Sequence, residues 1–92
     1  MTEQLPDIKK QIEQGDTEAA INALTNFITA HPKQSDEAYY LLGNAYRKKG
    51  DWQNALNNYL EAIERNPESP AVQARKMLMD ILNFYNKDMF NQ

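Results

Sequence analysis

The chain has 92 residues, of which 41% are hydrophobic and 25% are charged, and its formal net charge is −3. This length suits one domain. The net negative charge argues against a nucleic-acid binder, which needs a surplus of basic side chains. The lack of cysteine excludes disulfides and thiolate metal sites. Because there is no apolar run near the roughly 18 residues of a membrane span and no signal peptide in the polar N-terminal segment, we expect a cytoplasmic protein.

Two kinds of turn signal occur twice each. Gly–Asp occurs at 15–16 and at 50–51, where glycine can close one helix in the left-handed conformation and aspartate can cap the next. His31–Pro32 and Asn66–Pro67 lie 35 residues apart, and proline disfavours helix at the residue before it. We predict that Ser35 and Ser69 are N-caps and that Pro70 lies in a first helical turn.

These signals divide the chain into five segments with the apolar periodicity of amphipathic helices and without the alternation of a strand. The short connections make consecutive helices antiparallel neighbours, so we predict an all-α protein of antiparallel helix-turn-helix units. The predicted helices are Glu3–Gln14, Thr17–Ala30, Asp36–Lys49, Trp52–Arg65 and Pro70–Tyr85, followed by a tail, Asn86–Gln92.

The periodicity also predicts which side of each helix faces the core. Val72 and Met79 fall on the outer side of the last helix, with Leu82 and Phe84 at its edges. The predicted core residues are, helix by helix, Leu5, Ile8 and Ile12; Ala20, Ile21, Leu24, Phe27 and Ile28; Tyr39, Leu42, Gly43 and Tyr46; Ala55, Leu56, Tyr59, Ala62 and Ile63; and Ala74, Met77, Leu78, Ile81 and Tyr85.

The second and fourth segments repeat one pattern at a shift of 35 residues, as from Gly15 to Gly50, and such a period indicates stacked helical repeats. The segment 36–67 resembles a tetratricopeptide repeat (TPR). The resemblance rests on Tyr39, Leu42, Gly43, Tyr46, Gly50, Ala55, Tyr59, Ala62 and Pro67, which stand where the family pattern has aromatic, Leu, Gly, Tyr, Gly, Ala, aromatic, Ala and Pro.

The resemblance implies one TPR-like α-solenoid domain of five helices over 1–92. Its parts are repeat 1 at about 2–34, repeat 2 at about 35–69, a capping helix at about 70–85 and a tail at 86–92. Repeat 1 departs from the pattern, because Phe27 replaces the small residue that Ala62 provides and no small residue corresponds to Gly43.

No set of residues suggests catalysis. His31 is the one histidine and lies in a turn, and Ser35 and Ser69 are at helix starts, so nothing resembles a catalytic triad. Asp36 and Glu37 are adjacent on a first helical turn, where negative charge stabilises the helix. We therefore predict a protein that is not an enzyme and that needs no cofactor or metal.

Tyr40, Asn44 and Arg47 have i, i+4, i+7 spacing on a side of the third helix that the hairpin does not need for packing. In TPR proteins this side lines a concave groove that receives extended peptides. The resemblance therefore implies a ligand role for Tyr40, Asn44, Arg47 and Lys48, with Lys10 and Glu13 on the first helix and Arg75 and Met79 on the last. Basic residues at a helix C-terminus can equally serve its dipole, and we predict that Lys49 faces solvent.

The predicted partner is a protein or peptide of acidic character, and no nucleic acid or membrane is expected. A subclass of TPR proteins grips a terminal carboxylate, but Leu41 and Val72 stand where that subclass needs polar side chains. Two alternatives remain open: a structural domain that forms a homodimer through the C-terminal helix, and an accessory domain of an enzyme. The apolar outer side of the last helix suggests a partner or a second copy of the chain, unless Met89 and Phe90 in the tail fold back over it.

Overall fold

The computed structural model describes residues 5–90, with side chains through Phe84, and contains five α-helices and no strand within this range. The all-α prediction is confirmed. The first part of the first predicted helix, 3–4, lies outside the described residues. The helices are α1 (Leu5–Glu13), α2 (Thr17–Ala30), α3 (Asp36–Lys49), α4 (Trp52–Arg65) and α5 (Ala71–Phe90), with a 3-10 turn at Pro32–Gln34. The predicted bounds of α2, α3 and α4 are correct.

Both Gly–Asp pairs close a helix in the same way. Gly15 and Gly50 have φ angles of 87° and 88°, which glycine adopts without steric cost. The amide of Asp51 donates to the carbonyl of Tyr46 at 2.9 Å, and the amide of Asp16 donates to that of Gln11 at 2.8 Å. These bonds satisfy carbonyls that the helix itself leaves free.

The predicted N-caps form at two of four positions. Asp51 accepts from the amide of Asn54 at 3.2 Å, and the Ser69 hydroxyl accepts from the amide of Ala71 at 3.0 Å. Asp16 makes no such bond, and the Ser35 hydroxyl instead donates to the carbonyl of Pro32 at 3.0 Å. The prediction was wrong for Ser35 because the 3-10 turn before α3 offers its hydroxyl a nearer acceptor.

The buried side chains form two core clusters. The first joins α1, α2 and α3, and the second joins α4 and α5. Tyr39, Tyr40 and Tyr46 of α3 pack against both clusters. A Cβ atom on Gly43 would lie 2.3 Å from the ring of Tyr59, so glycine allows α3 and α4 to approach this closely.

The core side of α5 differs from the prediction. Met77 and Ile81 were predicted to be core residues but are 48% and 42% exposed. Among the described residues, α4 makes the main contact with this helix and covers a neighbouring side. The side chain of Tyr85 lies outside the described residues. The residues of α5 that pack into the second cluster are Ala71, Ala74, Leu78 and Leu82.

The last helix continues to Phe90, five residues beyond its predicted end at Tyr85. The segment predicted as a tail is therefore helical through Phe90, while 91–92 lie outside the described residues. The backbone at 89–90 belongs to this helix, and the side chains of Met89 and Phe90 lie outside the described residues. No helix in the described part of the chain is long and apolar enough to cross a membrane.

Candidate functional site

An open depression of about 270 Å³ lies between α1 and α3. It combines a small apolar surface with one amide and four charged side chains, three of them basic. The helices come together here because Ile8 and Ile12 of α1 and Leu41 and Ala45 of α3 belong to the same core cluster. The depression is lined by Lys9, Ile12, Glu13, Leu41, Asn44, Arg47 and Lys48.

Tyr59 of α4 holds the Asn44 side chain that lines this depression. The Tyr59 hydroxyl donates to Oδ1 of Asn44 at 2.5 Å, and the Tyr59 ring is fully buried. The guanidinium of Arg47 lies beside the same hydroxyl. Since Oδ1 is engaged by Tyr59, the Asn44 amide nitrogen keeps its two donors for another partner.

Burial raises the pKa of the Tyr59 hydroxyl, and the adjacent Arg47 guanidinium opposes that rise. Burial is the larger effect, so Tyr59 stays neutral and continues to donate at physiological pH. Tyr40 is half-buried, and its ring centroid lies 6.1 Å from that of Tyr59. The aromatic contact fixes Tyr40 against α4, and Tyr40 does not line the depression.

The basic residues at the end of α3 contact three different neighbours. Lys48 donates to the backbone carbonyl of Glu13 at 3.5 Å, which ties α3 to the C-terminus of α1. Lys49 is exposed, as predicted, and it also pairs with Glu18 of α2 at 2.5 Å on the surface. The paired carboxylate raises the pKa of Lys49. Arg47 and Lys48 are the two that also line the depression.

The structure brings together four of the eight predicted site residues: Glu13, Asn44, Arg47 and Lys48. Lys10 does not line the depression, and its neighbour Lys9 does. The sequence pattern missed Leu41, which is 2% exposed and contributes apolar surface, and Tyr59, which supports Asn44 from below. The i, i+4 spacing gives no signal for Tyr59 because its contact spans two helices.

Arg75 and Met79 line a second depression, of about 460 Å³, between α4 and α5. It shares no residue with the first, so these two predicted site residues belong to a different surface. Nε of Arg75 is buried without a hydrogen-bond partner among the described residues. The lining residues are Leu60, Ile63, Val72, Arg75, Lys76, Met79, Asp80 and Asn83.

The remaining polar candidates make structural contacts. His31 lies against Phe27, with ring centroids 4.5 Å apart. Glu61 and Arg65 form an i, i+4 ion pair at 2.6 Å, and the same guanidinium lies 4.3 Å from the ring centroid of Tyr39. Among the side chains that the structure describes, through Phe84, no three histidine or acidic groups gather in a way that would hold a metal ion.

Comparison with known proteins agrees with the helical-repeat architecture. Residues 36–69 match the tetratricopeptide repeat, and residues 11–33 match a second tetratricopeptide-repeat pattern. The solution NMR structure of Bacteroides fragilis protein BF1650 is 68% identical to this chain, with a TM-score of 0.88, and the match covers 98% of this chain and 91% of that one. No curated protein matches the chain.

Both matched segments correspond to helices of the structure. Residues 36–69 contain α3, α4 and the turn before α5, with Gly43 against Tyr59 at the closest approach. Residues 11–33 contain α2 and the end of α1. Such repeats generally mediate protein–protein interaction and are typically non-enzymatic. From its two matched repeats and its five-helix fold, the chain belongs to the tetratricopeptide-repeat family.

Proposed function

We propose that this protein is a binding module that holds an extended, acidic segment of another protein in the depression between α1 and α3. The observation that carries the proposal is the contact of Tyr59 with Asn44 and Arg47. It holds a neutral donor and a cation at the same place on an otherwise open surface. A peptide backbone offers a carbonyl acceptor at every residue, so an oriented amide donor recognises it whatever its sequence.

The charges around the depression favour an acidic ligand. Lys9, Arg47 and Lys48 outnumber the one carboxylate, Glu13, although the whole chain carries a net charge of −3. A local excess of positive charge attracts an acidic segment and raises its association rate. The apolar surface of Ile12 and Leu41 between these charges suits one small apolar side chain of the ligand.

The test uses short fluorescein-labelled peptides that are rich in Glu and Asp, in Gln and Asn, or in Lys, with binding followed by fluorescence anisotropy. We expect the acidic peptides to bind and their affinity to fall as salt is added, because exposed charges are screened. Equal binding of all three peptide classes would contradict the acidic preference.

The decisive variant is Arg47→Gln with Lys48→Gln, which removes two charges but keeps side chains that can donate hydrogen bonds. We expect acidic-peptide affinity to fall about tenfold, or about 1.4 kcal/mol. The matched control, Lys33→Gln with Arg75→Gln, removes the same charge from outside the depression and should leave affinity unchanged. Loss of binding in the control but not in the α3 variant would place the site outside the depression between α1 and α3.

A further inference from the structure

Large apolar side chains are exposed mainly on α5. Among the described side chains, Trp52 and Leu60 are the other exposed examples. On α5, Val72 and Met79 lie on the side that borders the α4 depression. The other α5 residues of this kind have i, i+4, i+7 spacing and form a separate stripe: Met77, Ile81 and Phe84.

The repeat period identifies what this stripe corresponds to. Adding 35 to residues 42 and 46 gives 77 and 81, so Met77 and Ile81 stand where α3 has Leu42 and Tyr46. On α3 neighbouring helices cover this side: Leu42 is 5% exposed in the first core cluster, and Tyr46 packs against both clusters. On α5 the described chain supplies no following helix, and Met77 remains 48% exposed. Among the described residues, the side of α5 that a second repeat helix would cover is therefore exposed.

We propose that a second copy of the chain covers this side, with the two α5 helices packed antiparallel about a two-fold axis at the level of residues 78–79. In this arrangement Met77 of each copy packs beside Ile81 of the other, since both lie about two residues from the axis. The 20 residues of α5 give a helix about 30 Å long for this contact.

Charge complementarity favours a second copy over an unrelated partner. Lys76 and Asp80 line the depression between α4 and α5 and lie between it and the stripe. Their side chains are 76% and 66% exposed, and within one helix they form only an exposed pair at 3.5 Å. Opposite charges at similar distances on either side of a two-fold axis meet each other across it, so Lys76 of each copy lies beside Asp80 of the other. The pattern is self-complementary, and the ion pairs fix the register of the apolar contact.

The experiment measures the mass of the full chain by sedimentation equilibrium over a range of protein concentrations. One chain has a mass of 10.7 kDa, and we expect the wild-type mass to rise towards twice that value as concentration increases. Asp80→Lys places lysines against each other across the axis, and Lys76→Asp does the same with carboxylates. Each variant alone should dissociate at least tenfold more readily than the wild type.

The mixture of these two variants is the specific test. A chain with lysine at both 76 and 80 complements a chain with aspartate at both, so an equimolar mixture should regain the wild-type association. Glu68→Lys makes the same change of charge as Asp80→Lys but lies in the turn before α5, and it should leave association unchanged. Circular dichroism of each variant verifies that it is folded.

Three results would overturn the proposal. The first is a wild-type mass that stays at that of one chain at every concentration. The second is a mixture that associates no more strongly than its two components. The third is a dimer that survives Ile81→Asp, because that change puts a carboxylate into the apolar contact and should abolish association whatever the charges at 76 and 80.

Discussion

Gly43 and Tyr59 form the closest contact between α3 and α4. A Cβ atom at position 43 would lie 2.3 and 2.4 Å from two carbon atoms of the Tyr59 ring, well inside the normal separation of carbon atoms. The ring is fully buried, so it has no free space into which to move. The hydroxyl of the same ring reaches Asn44 at the depression. One close contact therefore supports both the hairpin and the site.

Gly43→Ala should destabilise the domain by about 1–3 kcal/mol, because overpacking forces the ring or the helix to shift, and Gly43→Leu should cost more. Urea unfolding followed by circular dichroism measures the change. In a Tyr59→Leu background, which removes the ring, Gly43→Ala should cost much less, since alanine itself favours helix. If Gly43→Ala lowers the free energy of unfolding as much in the Tyr59→Leu background as in the wild type, the Tyr59 ring is not what the new Cβ atom meets.

Tyr59→Phe should reduce stability by about 0.5–1.5 kcal/mol at neutral pH, because Asn44 Oδ1 loses its donor. Burial raises the folded-state pKa of Tyr59 above its ordinary value of 10.0. The unfolded chain therefore loses this proton first, and the stability that Tyr59 contributes is present below pH 10 and lost as pH rises above it. Above pH 10 the wild type should lose stability more steeply than Tyr59→Phe. Parallel pH profiles of the two would contradict the assigned burial effect.

The two Gly–Asp turns offer a comparison between helix N-termini. Asp51 accepts from the Asn54 amide and Asp16 makes no side-chain cap bond. Asp51→Ala should therefore lower the melting temperature, whereas Asp16→Ala should change it much less. Hydrogen bonds from Asn54 lower the pKa of Asp51, so its contribution is present above the unfolded value of 3.8 and lost as pH falls through the folded pKa. Equal effects of both changes at neutral pH would show that the cap of α4 contributes no more than the uncapped start of α2.

The helix bounds were predictable where local chemistry marks both ends. For α2, α3 and α4, the Gly–Asp and X–Pro signals act on the backbone within one or two residues, so the sequence alone identifies them. The last helix has no such signal near Tyr85 and continues to Phe90. Its core side was misassigned at Met77 and Ile81 because periodicity identifies an apolar side but not whether a neighbouring helix covers it.

The site was predictable only within α3. The spacing of Asn44 and Arg47 on one helix predicted that they share a surface, and both line the depression. Lys9 lines the depression instead of the predicted Lys10. The reason is the rotation of α1 about its axis, which the packing of Ile8 and Ile12 in the core determines. The hydrogen bond from Tyr59 joins residues 15 positions apart, and no pattern within one helix reports such a contact.

At the scale of the whole molecule, the helices form an elongated body of 53 × 27 × 16 Å with two core clusters. Stability in stacked repeats depends on each unit and on the contacts between neighbours. Here the side chains of Tyr39, Tyr40 and Tyr46 pack against both clusters. We expect this shared packing to couple the two repeats in one unfolding transition.

Leu24→Ala tests that coupling, because Leu24 is fully buried in the first cluster. Removing its side chain should cost about 2–5 kcal/mol. Trp52 is the sole tryptophan and lies on α4, so its fluorescence reports the second repeat while ellipticity reports all helices. Both signals should shift together to lower denaturant. If the denaturant midpoint of the Trp52 fluorescence transition is unchanged by Leu24→Ala, the two repeats unfold separately.

The tie between Tyr59, Asn44 and Arg47 also bears on how such a protein can diverge. Substitutions at Asn44 or Arg47 remove partners of the buried Tyr59 hydroxyl. A change of ligand that requires such substitutions would therefore also destabilise the hairpin of α3 and α4. Lys9 and Glu13 are exposed on α1 and line the same depression. Their side chains can be exchanged at little cost in folding. We expect relatives that keep Tyr59, Asn44 and Arg47 but vary positions 9 and 13 to bind different partners with the same fold.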